Sequence, residues 1–411
     1  TRKKAPFHVA LFRKQTTSMS LLEARFHALG ELLELHAALW RPAPFHEPRP
    51  AWRARFPGFA TRLLALDDAE VERLAGDNFA LIELAARHLG PAFPALSLLR
   101  QLIELPRADA PPAADQRLVW RVPGRKQAEI EAFAEAVPDA SAPLLEWCAG
   151  KGHLGRLLGR RLGLPVLSLE HDAALCAAGA ELAARAGVAQ RFLALDVLSD
   201  AAPPHLPGRH AVALHACGEL HLRLLRATVE AGAPALDLSP CCYYRIVSPR
   251  YQPLNPDAGL ALSRDELHLA VTETVAAGAR ERRLRDRDLA WKLAFLELRA
   301  AAGIARATTF KPVPAAWAAD GFAAWLRHLA TREGVALDAA PDWAGIERVG
   351  WARQGEVRRL ELLRLAFRRP LEIWLALDRA VYLERQGYRV TLSEFCPRQV
   401  TPRNLLISAR R

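Results

Sequence analysis

Glu146, Glu170 and Asp196 stand where carboxylates can hold a nucleoside, and a glycine turn lies between the first two. The turn is AGKGHLG, residues 149–155, directly after the apolar run LLEWCA. Glycines between a strand and a helix let main chain approach a ligand with no Cβ in the way. Glu170 closes the next apolar run, PVLSLE, 20 residues after Gly150. A carboxylate there can accept both hydroxyls of a ribose. Asp196 closes the third run, QRFLALDV, and can accept from an adenine amine.

GKGHLG alone fits a dinucleotide as well as it fits S-adenosyl-L-methionine. Glu146 favours the second. A carboxylate just ahead of the loop would repel a pyrophosphate, whereas it can accept from the amine of a methionine moiety. The wider pattern ExxAGxGxL and a closing hairpin near the C-terminus point the same way. The blander roles are an ion pair to arginine for Glu146 and a turn cap for Asp196.

A second group of reactive side chains sits further on. HACG (215–218) ends a fourth apolar run and SPCCYY (239–244) ends a fifth. In an open parallel sheet both ends lie at the carboxyl edge, beside the cofactor. This gathers His215, Cys217, Ser239, Cys241, Cys242, Tyr243 and Tyr244. Three chemistries fit. Tyr243 can stack a target base while His215 and Ser239 line the donor side. A thiolate of Cys241 or Cys242 can add to a pyrimidine ring. Two to four of these side chains can also bind zinc, but no metal is assigned, because adjacent cysteines are poor spacing for a tetrahedral site and no CxxC occurs. Cys217 and Cys241 can equally be small core residues.

These groups need a parallel α/β sheet to position them. Strands are expected at 144–149, 165–170, 190–197, 211–217 and 235–240, with helices at 154–163, 172–187 and 219–231. After an amphipathic helix, YRVTLSEF and LLISAR form a closing hairpin that leaves the last strand antiparallel. The expected organisation is a disordered 1–18, a helical N-terminal domain at 19–105 and a linker at 106–116. A methyltransferase core follows at 117–242, broken by a helical, substrate-recognising insertion at 243–370 and completed by residues 371–411. Residues 1–18, ahead of the sole methionine Met19, can also lie upstream of the natural start.

With 411 residues the chain can build two or three cored domains. No apolar run of 18 or more residues free of charge occurs, so no membrane span is expected. The six scattered cysteines suit a reducing, cytoplasmic setting. The net charge of +11 fits a polyanion such as RNA. Residues 280–411 hold 25 Lys+Arg against 15 Asp+Glu, and Arg280, Arg282, Arg283 and Arg285 lead one helix.

EWCAGKGHLGRLL, LHACGEL, SPCCYY and FCPRQVTPRNLLI together resemble a known family. It is the Rossmann-like class I methyltransferase domain of the glutathione S-transferase C-terminal domain-containing protein and its bacterial relatives. More distantly, the pattern is similar to tRNA 2′-O-methyltransferases. The resemblance covers roughly 117–411. It implies cofactor contacts at Glu146, Ala149, Gly150, Gly152, Glu170, Asp196 and His215. Cys148 stands where many such enzymes have their first glycine, a position that tolerates a small side chain. The leading expectation is an S-adenosyl-L-methionine-dependent methyltransferase of tRNA or rRNA. The alternatives are a protein or small-molecule methyltransferase, a non-catalytic RNA-binding module, and an NAD-dependent oxidoreductase. The last lacks a second substrate domain after the sheet.

Overall fold

Short apolar runs alternating with helices build one seven-stranded sheet. Its strands are β1 (Leu144–Trp147), β2 (Val166–Glu170), β3 (Gln190–Ala194), β4 (His210–Cys217), β5 (Ala235–Cys241), β6 (Arg389–Glu394) and β7 (Leu405–Arg410). The order is β3-β2-β1-β4-β5-β7-β6. The first five strands pair in parallel, and β7 runs antiparallel to both β5 and β6. Every residue of β1 and β5 is buried, as helices on both faces require. The fold is thus the parallel α/β sheet with a closing hairpin that the strand pattern implied, in the Rossmann-like arrangement that the resemblance implied. The computed structural model describes residues 19–107, 124–137, 140, 142–272, 278–304 and 311–411. The expectation for 1–18, and nearly all of the linker at 106–116, lie outside them.

Strand order reverses at β1, which has β2 on one side and β4 on the other. That reversal opens a crevice at the carboxyl ends, the usual ligand position in such sheets. Helix His153–Leu162 follows β1 and packs closely on the sheet. A methyl group at Gly155 would lie 2.4 Å from Glu146 Oε2 and 2.9 Å from Val166 Cγ1, so only glycine permits this approach.

The helical parts divide differently from the expectation. Residues 19–34, 102–271 and 370–411 form one unit with the sheet, and 35–101 joins 272–369 in a second. The N-terminal helices and the insertion are therefore not separate domains. In the first unit the Phe26 ring stacks on Trp374 with centroids 5.4 Å apart, tying helix Leu21–Leu35 to helix Arg368–Arg385. In the second, Trp291, Phe322 and Trp325 centre a separate core. The segment 243–263 is irregular, not helical, because Pro249, Pro253 and Pro256 remove donors and obstruct a helix. Helices resume at Arg264–Val271 and Ala279–Ala301.

Some of the C-terminal positive charge is structural. Arg353, Arg368, Arg369 and Arg379 are buried. Arg368 donates to Asn78 Oδ1 and Ala75 O, and Arg353 pairs with Glu297 and Glu356. Among the described residues, no helix is long and apolar enough to cross a membrane.

Candidate functional site

The β1 loop owes its shape to three left-handed residues, Cys148 (φ 59°), Gly150 (φ 57°) and Gly152 (φ 64°). Ala149 N donates to Leu169 O at 2.9 Å, and Gly152 N donates to Ala149 O at 2.8 Å. No atom comes within 4 Å of where a Cβ on Gly150 would stand, so its main chain faces open space. Gly152 is closed in: a Cβ there would meet Phe192 and Gln190 at 2.4 and 2.3 Å. Gly152 therefore shapes the loop through packing. Cys148 occupies a backbone region that disfavours any side chain, which is a strain and not merely a tolerated variation.

Glu170 ends β2 under this loop. Its carboxylate accepts from Gly150 N at 2.8 Å, from Asp172 N at 3.1 Å, and bonds His171 Nδ1 at 2.8 Å. Burial pushes its pKa up, but the Asp172 and Gly150 amides and His171 outweigh burial and hold it below the usual range. The group stays an anion beside the open face of Gly150. Asp196 lies two residues beyond the end of β3, in the following turn, not in the strand. One oxygen caps Leu198 N at 2.9 Å, and the side chain is exposed at the same sheet edge.

Glu146 differs from the expectation. It is buried, accepting from Gly155 N at 3.0 Å, Ser168 Oγ at 2.7 Å and Gln190 Nε2 at 3.3 Å. Gln190 also donates to Gly152 O at 3.0 Å. The carboxylate braces the loop from beneath and is not turned towards a ligand. Burial raises its pKa to about 7, against the pull of Ser168, Gly155, Arg156 and Gln190.

At the ends of β4 and β5 the main chain departs from regular pairing. Leu214 pairs with Ser239, yet Cys217 pairs with Cys241, so β4 carries one extra residue. His215 sits in this bulge at φ 68°. Its side chain is 42% exposed, and its Nε2 lies 2.9 Å from Glu129 Oε2. Glu129 belongs to helix Gly124–Ala136 and is buried. Burial pushes its pKa up, but the bond and charge of His215, with Thr401 and Lys126, bring it below the usual value. Sequence reasoning missed Glu129, which lies far along the chain from His215.

Ser239 and Tyr243 do not reach the crevice. Ser239 is buried, and its hydroxyl donates to Arg403 O at 3.0 Å. Tyr243 is fully buried beneath the Arg379 guanidinium, 4.8 Å from its ring centroid, with His221 edge-on. Arg379 donates to His221 Nε2 and Tyr251 OH, each at 2.9 Å, and His221 Nδ1 bonds Ala216 O in the bulge. Burial and Arg379 hold His221 well below its ordinary pKa, so it is neutral. Tyr243 is thus a core residue supporting the bulge and cannot stack a base. Tyr244 is the half-buried neighbour, its ring 4.7 Å from His268. Cys241 is buried, while Cys217 and Cys242 are partly exposed. The Cys217 and Cys241 thiols lie 3.4 Å apart. The Cys217 and Cys241 thiols pull the pKa of Cys242 down.

The site therefore gathers the Gly150 face, Glu170, Asp196, His215 with Glu129, and three thiols. A family model described as a methyltransferase domain matches residues 125–249. The match spans the glycine loop, all three carboxylates, the bulge and SPCCYY, so this part of the chain is similar to a methyltransferase domain. No curated protein matches the chain.

Proposed function

We propose that the chain is an S-adenosyl-L-methionine-dependent methyltransferase acting on RNA. The observation that carries the cofactor is the open main-chain face of Gly150 beside the anionic Glu170, at the strand-order reversal. The residues present fit that group. Glu170 would hold ribose hydroxyls, Asp196 the adenine amine, and Ala149 and Gly150 the remaining main-chain contacts. When bound, S-adenosyl-L-methionine supplies a methyl group carrying the electrophilicity of a sulfonium.

The chain's own contribution is orientation and a proton acceptor. With Nε2–H donated to the ionised Glu129, Nδ1 would be the acceptor on the ring. His215 Nδ1 would take the proton of a nucleophilic amine or hydroxyl as it attacks the methyl group. Glu129 is then a positioning residue. The RNA reading rests on the net charge of +11 and the exposed Arg280, Arg283 and Arg285 on helix Ala279–Ala301. The resemblance to tRNA 2′-O-methyltransferases supports the same substrate class.

The test is transfer of radiolabelled methyl groups to RNA fractions, followed by nucleoside mass spectrometry of RNA from wild-type and deletion cells. A modified nucleoside lost on deletion supports the proposal. Label in protein or small molecules alone would overturn its RNA part. His215→Ala should lower kcat by about 100-fold or more, and Glu129→Gln by less, with cofactor affinity unchanged in both. A fall in affinity with kcat preserved would remove His215 from the chemistry.

A further inference from the structure

Cys217, Cys241 and Cys242 bring three Sγ atoms within 4.8 Å of one another. Regular strands would not do this. Successive residues of a strand face opposite sides, so adjacent cysteines at 241 and 242 should diverge. Two backbone departures bring them together. The extra residue in β4 shifts its register by one, which sets Cys217 opposite Cys241 in place of Ala216. Cys242 then turns into the left-handed region at φ 45°, where a residue with a Cβ is rarely found. A strained position persists only where the surroundings hold it, and such positions concentrate at working sites.

We propose that Cys217, Cys241 and Cys242 form a three-thiolate site for zinc, with the fourth coordination position open. Zinc–sulfur bonds of about 2.3 Å at tetrahedral angles set the sulfurs about 3.8 Å apart. The three thiols need only small side-chain rotations to reach that spacing. On binding, three S–H bonds release their protons to solvent and three Zn–S bonds form. The centre then carries one negative charge. Arg245 and Arg403 are close enough to act electrostatically on Cys242 and would offset it. Cys217 and Cys242 are partly exposed, which gives the ion a way in and leaves the fourth position for water or an incoming group. The other buried cysteines, Cys176 and Cys396, are absent from the cluster and serve as controls.

The experiment uses the full chain, reduced and stripped of metal, titrated with cobalt(II) and then zinc(II). One equivalent of cobalt should give thiolate-to-metal charge-transfer absorption, and zinc should abolish it. Cys217→Ser and Cys242→Ser should each weaken zinc binding by about 100-fold or more, the upper end of what outer partners of ligands contribute. Cys176→Ser and Cys396→Ser should leave it unchanged. If a variant fails to fold by circular dichroism, the intensity of the wild-type band, which scales with the number of thiolates, decides. The proposal is overturned by absence of the band in reduced protein, by its survival in the Cys217→Ser, Cys242→Ser double variant, or by its loss in Cys148→Ser. Uptake of no metal, with a Cys217–Cys241 disulfide formed under mild oxidant, overturns it equally and makes the pair a dithiol.

Discussion

Replacing Glu146 by glutamine should change stability in a direction that depends on pH. Burial moves its pKa from an ordinary 4.5 to about 7. Between those values the folded chain keeps a proton that the unfolded chain has released, so stability falls as pH rises through the window. A shift of about 2.5 units corresponds to about 3 kcal/mol at 1.36 kcal/mol per unit. Below the window both states are protonated and nothing is lost. Glutamine never ionises, so it removes this fall. It also changes the hydrogen bonds: its carbonyl can still accept from Gly155 N, and its amide can donate to a rotated Ser168 hydroxyl. Only the 3.3 Å bond from Gln190 is lost, at about 1 kcal/mol. Glu146→Gln should therefore be about 1 kcal/mol less stable than wild type at low pH and about 2 kcal/mol more stable near pH 8. The two curves should cross at about pH 5 to 6. Urea or thermal unfolding of both proteins across that range reads the difference, in which all other groups cancel. A difference that stays constant with pH would refute the buried, proton-retaining carboxylate.

Glu170→Ala should weaken S-adenosyl-L-methionine binding by about 1 to 3 kcal/mol. Asp196→Ala should cost less, because Glu170 also holds Gly150 N; calorimetry that ranks them the other way would count against this. Arg379→Met should destabilise the fold by about 3 to 5 kcal/mol in denaturant, since it strips His221, Tyr251 and Tyr243 of a buried cation. A loss below about 1 kcal/mol would mean the bulge does not depend on it. Reversing Arg280, Arg283 and Arg285 to glutamate should lower RNA affinity and flatten its salt dependence. An unaltered slope would leave that helix a solvated face.

The sheet was legible because its strands are short apolar runs broken by glycine and proline, and because the closing pair follows a helix. The position of Glu170 at the end of β2, beside Gly150, was legible for the same reason: its distance from Gly150 is set by one helix. Glu146 was misread because its partners Ser168 and Gln190 come from two neighbouring strands, and only the register shows which way it points. The place of His215 near the end of β4 was legible but its partner was not, since 86 residues separate it from Glu129. Tyr243 looked like a stacking ring because SPCCYY gives no sign that Arg379, far along the chain, covers it. The spacing argument against a metal assumed straight strands. One bulge residue and one left-handed cysteine undo it. The prolines of 243–263 were a visible signal against helix, and the apolar pattern obscured it.

The interleaving of the two units bears on how the chain can be made and cut. Ser20 and helix Leu21–Leu35 leave the ribosome long before their partners Trp374, Glu384 and Arg385, which are translated some 350 residues later. The second unit likewise cannot close until residue 369 has been added to the fragment ending at 101. Both cores wait for long-range closure, the slow step in forming non-local contacts. Nascent chains should therefore expose the apolar faces of their first helices throughout most of synthesis, a natural load for chaperones. Nor is there a safe scissor point near residue 105. A fragment starting there would retain every strand of the sheet yet leave Trp374 without the ring it stacks on. Expression of the sheet alone requires residues 19–34 supplied in trans or by circular permutation.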